Sequence, residues 1–171
     1  MDELKKIIRD VPDFPKKGII FKDITTLLAQ GPMFKKAIDA IMAHYKGKKI
    51  DKIVAVESRG FIIGGALAYN MGVGFVPVRK KGKLPYKTVE VTYELEYGTD
   101  TLQIHEDAVK AGENVLVIDD LLATGGTAKA TATLVEKIGG KVVGIAFLID
   151  LTFLEGIKKL KGYEVFSLIQ Y

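Results

Sequence analysis

The run from Val115 to Thr127, VLVIDDLLATGGT, constrains this chain more than any other stretch. Val115 to Ile118 read as a short strand buried on both faces, and they end at two adjacent carboxylates, Asp119 and Asp120. A small-residue turn with two glycines follows, and then a helical pattern. Buried strand, turn and helix in that order form the repeating unit of an open α/β sheet, in which ligands bind at the carboxyl ends of strands. Both acids are therefore expected to point toward a binding site. Vicinal ribose hydroxyls are two donors side by side, and paired carboxylates are a natural acceptor set for them. Downstream, Gly125 and Gly126 permit a tight turn, the amides at the helix start can converge on a phosphate, and Thr124 and Thr127 add hydroxyls. The segment thus matches both ends of a ribose 5-phosphate. Taken singly, Asp-Asp also fits a solvated turn and Thr-Gly-Gly-Thr a helix N-cap; the complete spacing favours the ligand. No Gly-Lys-Ser/Thr follows the turn and no GxGxxG occurs, which excludes a Walker A loop and a dinucleotide fingerprint.

The same alternation of elements runs through most of the chain. Met33, Phe34, Ala37, Ile38, Ile41, Met42 and Tyr45 recur at helical spacing behind the start signal Gly31-Pro32. Residues 52–57 read as a buried strand, 61–71 as a helix and 73–78 as a second buried strand, which makes a βαβ unit. Val89, Val91, Tyr93 and Leu95 alternate with polar residues, as do Leu102 and Ile104 beyond the turn at 97–100, so an antiparallel hairpin is expected there. Strand 114–118, a helix from about 126 to 138, strand 141–149, a short helix near 152–160 and a final strand 163–169 complete the pattern. The fold class is α/β, with a mainly parallel central sheet flanked by helices. The first thirty residues differ, because Pro12, Pro15 and Gly18 break them up; they are expected to form a small subdomain laid over the sheet.

With 171 residues the chain is the size of one domain, and 48% apolar against 27% charged content places it among ordinary globular proteins rather than disordered ones. No apolar stretch approaches the length of a membrane span and the start lacks a secretory core, so a soluble intracellular protein with no membrane partner is expected. The absence of cysteine excludes disulfides and thiolate metal sites and fits a reducing cytosol. A net charge of +4 is too small to imply nucleic acid, yet Arg79, Lys80, Lys81, Lys83 and Lys87 concentrate it in one loop between strands. Such a cluster suits either solvent or a phosphate. His44 and His105 have no partner at metal spacing and are read as structural.

VLVIDDLLATGGT resembles the phosphoribosyl-diphosphate signature of the type I phosphoribosyltransferases. Three further segments resemble the adenine-using branch of that family: DFPKKGIIFKDIT at 13–25, ESRGF at 57–61 with RKKGKLP at 79–85, and YELEYG at 93–98. The likeness extends over nearly the whole chain, to the terminal FSLIQY. It implies a single domain with the family's sheet, an antiparallel flap hairpin within 79–105 and an N-terminal hood over 1–30. It further implies transfer of the 5-phosphoribosyl group from phosphoribosyl diphosphate to adenine, giving AMP and pyrophosphate in purine salvage, in a cytosolic homodimer.

What the resemblance implies for the site is specific. Asp119 and Asp120 hold the ribose hydroxyls, while Ala123, Thr124, Gly125, Gly126 and Thr127 wrap the 5-phosphate. Ser58 and Arg59, behind a cis peptide at Glu57-Ser58, hold the diphosphate with Arg79, Lys80 and Lys83, some of these acting across a dimer interface. Ile20, Phe21 and Lys22 give adenine apolar contact and main-chain hydrogen bonds. Glu96 is the acid–base group near N7, Tyr97 closes the flap beside it, and Arg59 belongs with Glu96 to the catalytic set. Mg2+ is implied as cofactor; without a dense carboxylate cage it is expected to arrive on the substrate and be held through waters. Two other readings stay open: a transferase for another purine such as xanthine or hypoxanthine, and a non-catalytic sensor of phosphoribosyl diphosphate. The sensor reading is opposed by the lack of spare length for a DNA-binding module.

Overall fold

Residues 2–94 and 98–171 are described by the structure, a computed structural model, and their contacts separate a unit ending at His44 from one that runs Tyr45–Tyr171. In the first unit a short helix, Asp2–Ile7 (α1), carries Asp2 and Glu3 in its first turn and Lys5 and Lys6 in its last, the arrangement that complements the helix dipole. Strands Arg9–Pro12 (β1) and Ile20–Asp23 (β2) pair antiparallel, with Val11 opposite Phe21. Residues 13–23 are thus the turn and second arm of a hairpin. Helices Thr25–Leu28 (α2) and Gly31–His44 (α3) follow, and α3 buries the expected positions Ala37, Ile38 and Ile41.

The second unit is built on strands Lys52–Val56 (β3), Gly74–Lys80 (β4), Thr88–Glu94 (β5), Thr99–His105 (β6), Asn114–Leu122 (β7), Lys141–Asp150 (β8) and Val165–Gln170 (β9). They form one sheet in the order β5-β6-β4-β3-β7-β8-β9. β4, β3, β7, β8 and β9 run parallel, and the β5–β6 hairpin joins antiparallel at β4, as the alternating pattern predicts. Helices Arg59–Met71 (α4) and Gly126–Lys137 (α5) cover opposite faces. Ile53 and Ala55 lie under Gly64 of α4, while Val54 and Val56 join Ala128, Leu134 and Val135 of α5 in the main apolar cluster. Val115, Leu116, Val117 and Ile118 are wholly buried, each contributing about 1.5–3 kcal/mol through its burial.

Two elements differ from expectation. β7 does not stop at Ile118: its ladder with β3 ends there, but pairing with β8 continues through Asp119 opposite Phe147 to Leu122 opposite Asp150. The apolar pattern breaks at the acids, whereas the backbone partners lie on the far side of the strand. The expected helix near 152–160 is instead two 3-10 turns, Thr152–Leu154 and Gly156–Leu160, divided at Glu155, whose φ is +52°. Among the described residues no helix is long and apolar enough to cross a membrane.

Candidate active site

The chain leaves β3 for β4 on one side and later returns to place β7 on the other, so β3 and β7 flank the point where strand order reverses. Such a switch point opens a crevice at the carboxyl ends of the two strands. Because β7 outruns β3, the room beyond Val56 is taken by residues 57–60, which begin α4. The peptide Glu57–Ser58 is cis, the geometry that the resemblance implies. A Cβ on Gly60 would lie 2.9 Å from Asp119 Oδ1 and 3.3 Å from the Ile118 carbonyl, so only glycine lets α4 start this close to the acids. Arg59 Nε stands 2.8 Å from Asp120 Oδ2. That approach is an ion pair without hydrogen-bond alignment, and it leaves the buried Oδ2 with no hydrogen-bond donor.

Two cavities meet at Asp119 and Thr127. The larger, about 450 Å³, is lined by Glu57, Ser58, Arg59, Lys80, Tyr93, Asp100, Asp119, Asp120 and Thr127 together with apolar neighbours. The smaller, about 80 Å³, is formed by residues 121–128 with Asp119 and Phe147. Small residues from Ala123 to Ala128 make up most of its lining. Gly125 has φ +80°, and Lys129 N donates to the Gly125 carbonyl at 3.0 Å, so the loop runs directly into α5. Behind the loop lies Gly156: a Cβ there would sit 2.1 Å from the Ala123 carbonyl oxygen and 3.0 Å from Gly125 N. Reciprocally, a Cβ on Gly125 would sit 2.4 Å from the Gly156 carbonyl oxygen. Tyr93 of β5 packs its ring over Gly126 and lies within hydrogen-bonding distance of Thr127, 3.1 Å between the two hydroxyl oxygens.

The basic residues are each held by an acid. Glu57, whose side chain is 6% exposed, accepts from Arg79 Nε at 2.7 Å, from the Lys80 amide at 3.2 Å and pairs with Lys83 Nζ at 3.1 Å. Burial alone would raise its pKa, but these donors outweigh it and hold the carboxyl below its usual range. Lys80 Nζ lies 3.1 Å from Asp100 Oδ2, a pairing that raises the lysine's pKa. Asp119 and Asp120 behave oppositely. Burial and the neighbouring Asp120 carboxylate push Asp119 well up, and burial raises Asp120 despite the opposing Arg59. Two adjacent carboxylates share one guanidinium, so further hydrogen-bond donors or positive charge at this point would be welcome.

The structure therefore brings Ser58, Arg59, Lys80, Asp119, Asp120 and the loop Ala123–Thr127 to adjoining cavities. Arg79 and Lys83 are drawn to Glu57 beside the cleft and do not line it. Ile20, Phe21 and Lys22 belong to the first unit, where Ile20 is exposed, Phe21 stacks edge-on with Phe14 at 5.2 Å, and Lys22 pairs with Asp10 at 2.6 Å. Glu96 and Tyr97 fall outside the described residues. Sequence reasoning missed Glu57 and Asp100, which hold the cations, and Tyr93 and Gly156, which pack against the loop Ala123–Thr127. Tyr93 had a signal in its place on the alternating β5 pattern; Gly156 had none, because its partner loop is some thirty residues distant.

Comparison with known proteins agrees with this geometry. The phosphoribosyl transferase domain family matches residues 24–169. The chain is 58% identical over all 171 residues to the adenine phosphoribosyltransferase of Syntrophotalea carbinolica and 59% identical over 171 residues to that of Geotalea uraniireducens, covering the whole of each. Its fold superposes on the crystal structure of adenine phosphoribosyltransferase from Thermoanaerobacter pseudethanolicus with a TM-score of 0.97 at 56% identity, covering 99% of both chains. It also superposes on the Saccharomyces cerevisiae enzyme complexed with an imino-altritol bisphosphate and adenine, with a TM-score of 0.94 at 44% identity, over 98% of this chain and 97% of that one.

Proposed function

The chain belongs to the type I phosphoribosyltransferase family, within its adenine phosphoribosyltransferases, and from that premise we propose how its residues divide the work. It transfers the 5-phosphoribosyl group from phosphoribosyl diphosphate to adenine, giving AMP and pyrophosphate in purine salvage. The observation that carries the division is the pair of cavities meeting at Asp119 and Thr127, one lined mostly by small residues and the other mostly by polar and charged ones.

In this reading the smaller cavity takes the 5-phosphate, with the amides of Ala123–Thr127 and the hydroxyls of Thr124 and Thr127 as donors. Asp119 and Asp120 accept from the two ribose hydroxyls, one of which would supply the donor that Asp120 Oδ2 lacks among the described residues. Ser58, Arg59 and Lys80 face the diphosphate, and Arg79 and Lys83 reach it by leaving Glu57. As the bond from the anomeric carbon to the diphosphate breaks, its electron pair leaves with pyrophosphate and positive charge grows on the ribose. The acids stabilise that charge and the cations stabilise the leaving anion. Adenine N9 forms the new bond and gives up a proton, and Glu96 serves as the acid–base group near N7. Ile20, Phe21 and Lys22 are assigned to the base, a reading supported by the yeast relative's having been crystallised with adenine.

Mg2+ fits this donor set as a hydrated ion. Among the described residues no group of three or more acidic or histidine ligands is assembled, but Asp119 and Asp120 form a buried anionic pair with a single guanidinium. These two would hold the ion through water and ribose oxygens, and it would supply charge neutralisation for the departing diphosphate. A homodimer is supported by Ile62, Tyr69 and Phe75, large apolar residues left exposed on α4 and β4, Tyr69 to 88%.

Pyrophosphate release with each purine in turn, in the presence of phosphoribosyl diphosphate and Mg2+, tests the reading. Adenine alone should support turnover; turnover with hypoxanthine but not adenine would sink the base assignment. Glu96→Ala should lower kcat far more than it weakens phosphoribosyl diphosphate binding, and equal losses would move Glu96 into the binding set.

A further inference from the structure

Thr127 is the described hydroxyl residue common to both cavities, and its oxygen already has a neighbour, the phenol of Tyr93. A hydroxyl donates one hydrogen bond, and a phosphate ester oxygen only accepts. If Thr127 gives its proton to Tyr93, it turns its lone pairs on the phosphate and opposes it. If Tyr93 gives its proton to Thr127, the threonine's own proton is released for the phosphate. The two arrangements have the same oxygen separation and opposite consequences.

An anion at this helix start favours the second, because only that arrangement offers it a proton. The Tyr93 ring is seated against Gly126, where a Cβ would approach its Cδ2 to 3.2 Å, so the phenol oxygen is aimed and cannot swing clear while that contact holds. Burial raises the phenol's pKa, so the phenol keeps its proton. Thr127 is the second residue of α5, at a helix start whose unpaired amides attract an anion. We propose that Tyr93 is a positioning residue for the phosphate end of the site: its phenol donates to Thr127 Oγ1 and thereby turns the threonine's proton toward the 5-phosphate. The chain of donors runs Tyr93 to Thr127 to phosphate, and each link is stronger for the one before it. Because Tyr93 ends two residues short of the segment carrying Glu96, it also ties the flap strand to the occupied phosphate loop. This inference rests on the assignment of Ala123–Thr127 to the 5-phosphate.

The test is calorimetric titration of ribose 5-phosphate, and separately of pyrophosphate, into the full-length wild type, Tyr93→Phe, Thr127→Val, Thr127→Ser and the two combinations with Tyr93→Phe. Tyr93→Phe should weaken ribose 5-phosphate binding by about three- to tenfold, the worth of one hydrogen bond, and leave pyrophosphate unchanged. In the Thr127→Val background it should add nothing, and with Thr127→Ser, which keeps the oxygen, its effect should return. Unaltered ribose 5-phosphate affinity in Tyr93→Phe, an undiminished loss in the Thr127→Val background, or equal loss for pyrophosphate would each overturn the proposal. Failure of the wild type to bind ribose 5-phosphate would instead overturn the site assignment beneath it.

Discussion

Around Ala123–Thr127 the site is a loop whose Gly125 packs without clearance on Gly156, whereas beside Ser58 it is made of Arg59 and Lys80, each already paired with a carboxylate. In the proposed reading the first end receives the 5-phosphate without rearrangement, because packing fixes the loop at the start of α5. In the proposed reading the second end exchanges partners, Arg79 and Lys83 leaving Glu57 and Lys80 leaving Asp100 for the diphosphate. On that proposal the group that stays on the ribose meets a packed loop, and the group that departs meets cations with a carboxylate to return to. The contrast assigns different vulnerabilities to the two ends.

The largest effect is expected from Gly156→Ala. Its methyl would meet the Ala123 carbonyl at 2.1 Å, and the loop must retreat because the obstacle is backbone. A displacement on the order of 1 Å should cost about a hundredfold in AMP affinity, measured by calorimetry. AMP binding like that of the wild type would break the idea that this end is rigid.

Glu57→Gln probes the other end. Losing the carboxylate beneath Arg79 and Lys83 should lower unfolding stability by about 1–2 kcal/mol, a figure reduced because Lys83 is half exposed. Glu57 titrates below its usual range in the folded chain, so its contribution is fully present above the unfolded carboxyl value and is lost as pH falls through the folded one. The gap between wild type and variant, followed by denaturant melts, should therefore close in acid. A gap independent of pH would show that the pairing is not electrostatic.

Asp119→Asn should have the smallest effect on stability and the opposite sign, a gain of about 1 kcal/mol in the ligand-free protein. Burial and Asp120 raise the Asp119 pKa, so its charged form costs stability above the unfolded value, and that cost is relieved as pH falls through the raised folded value. The same variant should bind ribose 5-phosphate more weakly. Loss of stability instead of gain would mean that the acid pair is already neutralised within the fold.

Legibility in the sequence followed the range of the interactions. The sheet, α4, α5 and the β5–β6 hairpin could be read because burial on alternate or helical positions leaves its period within a dozen residues. Asp119, Asp120 and Ala123–Thr127 could be read because one contiguous segment carries them. The reach of β7 to Leu122 could not, since its hydrogen-bond partners belong to β8. The 3-10 turns at 152–160 were also hidden, because Gly156 is shaped by a loop it meets only after folding.

By itself the sequence determined the fold class, the ribose-phosphate segment and the chemistry that its residue types can perform, since those depend on local pattern and on the donors and acceptors each side chain carries. Tertiary structure alone decided which acid holds which base, that Tyr93 reaches Thr127, and that Gly125 and Gly156 touch. Those facts arise where distant segments are forced together by the burial of the sheet, and no local period records them.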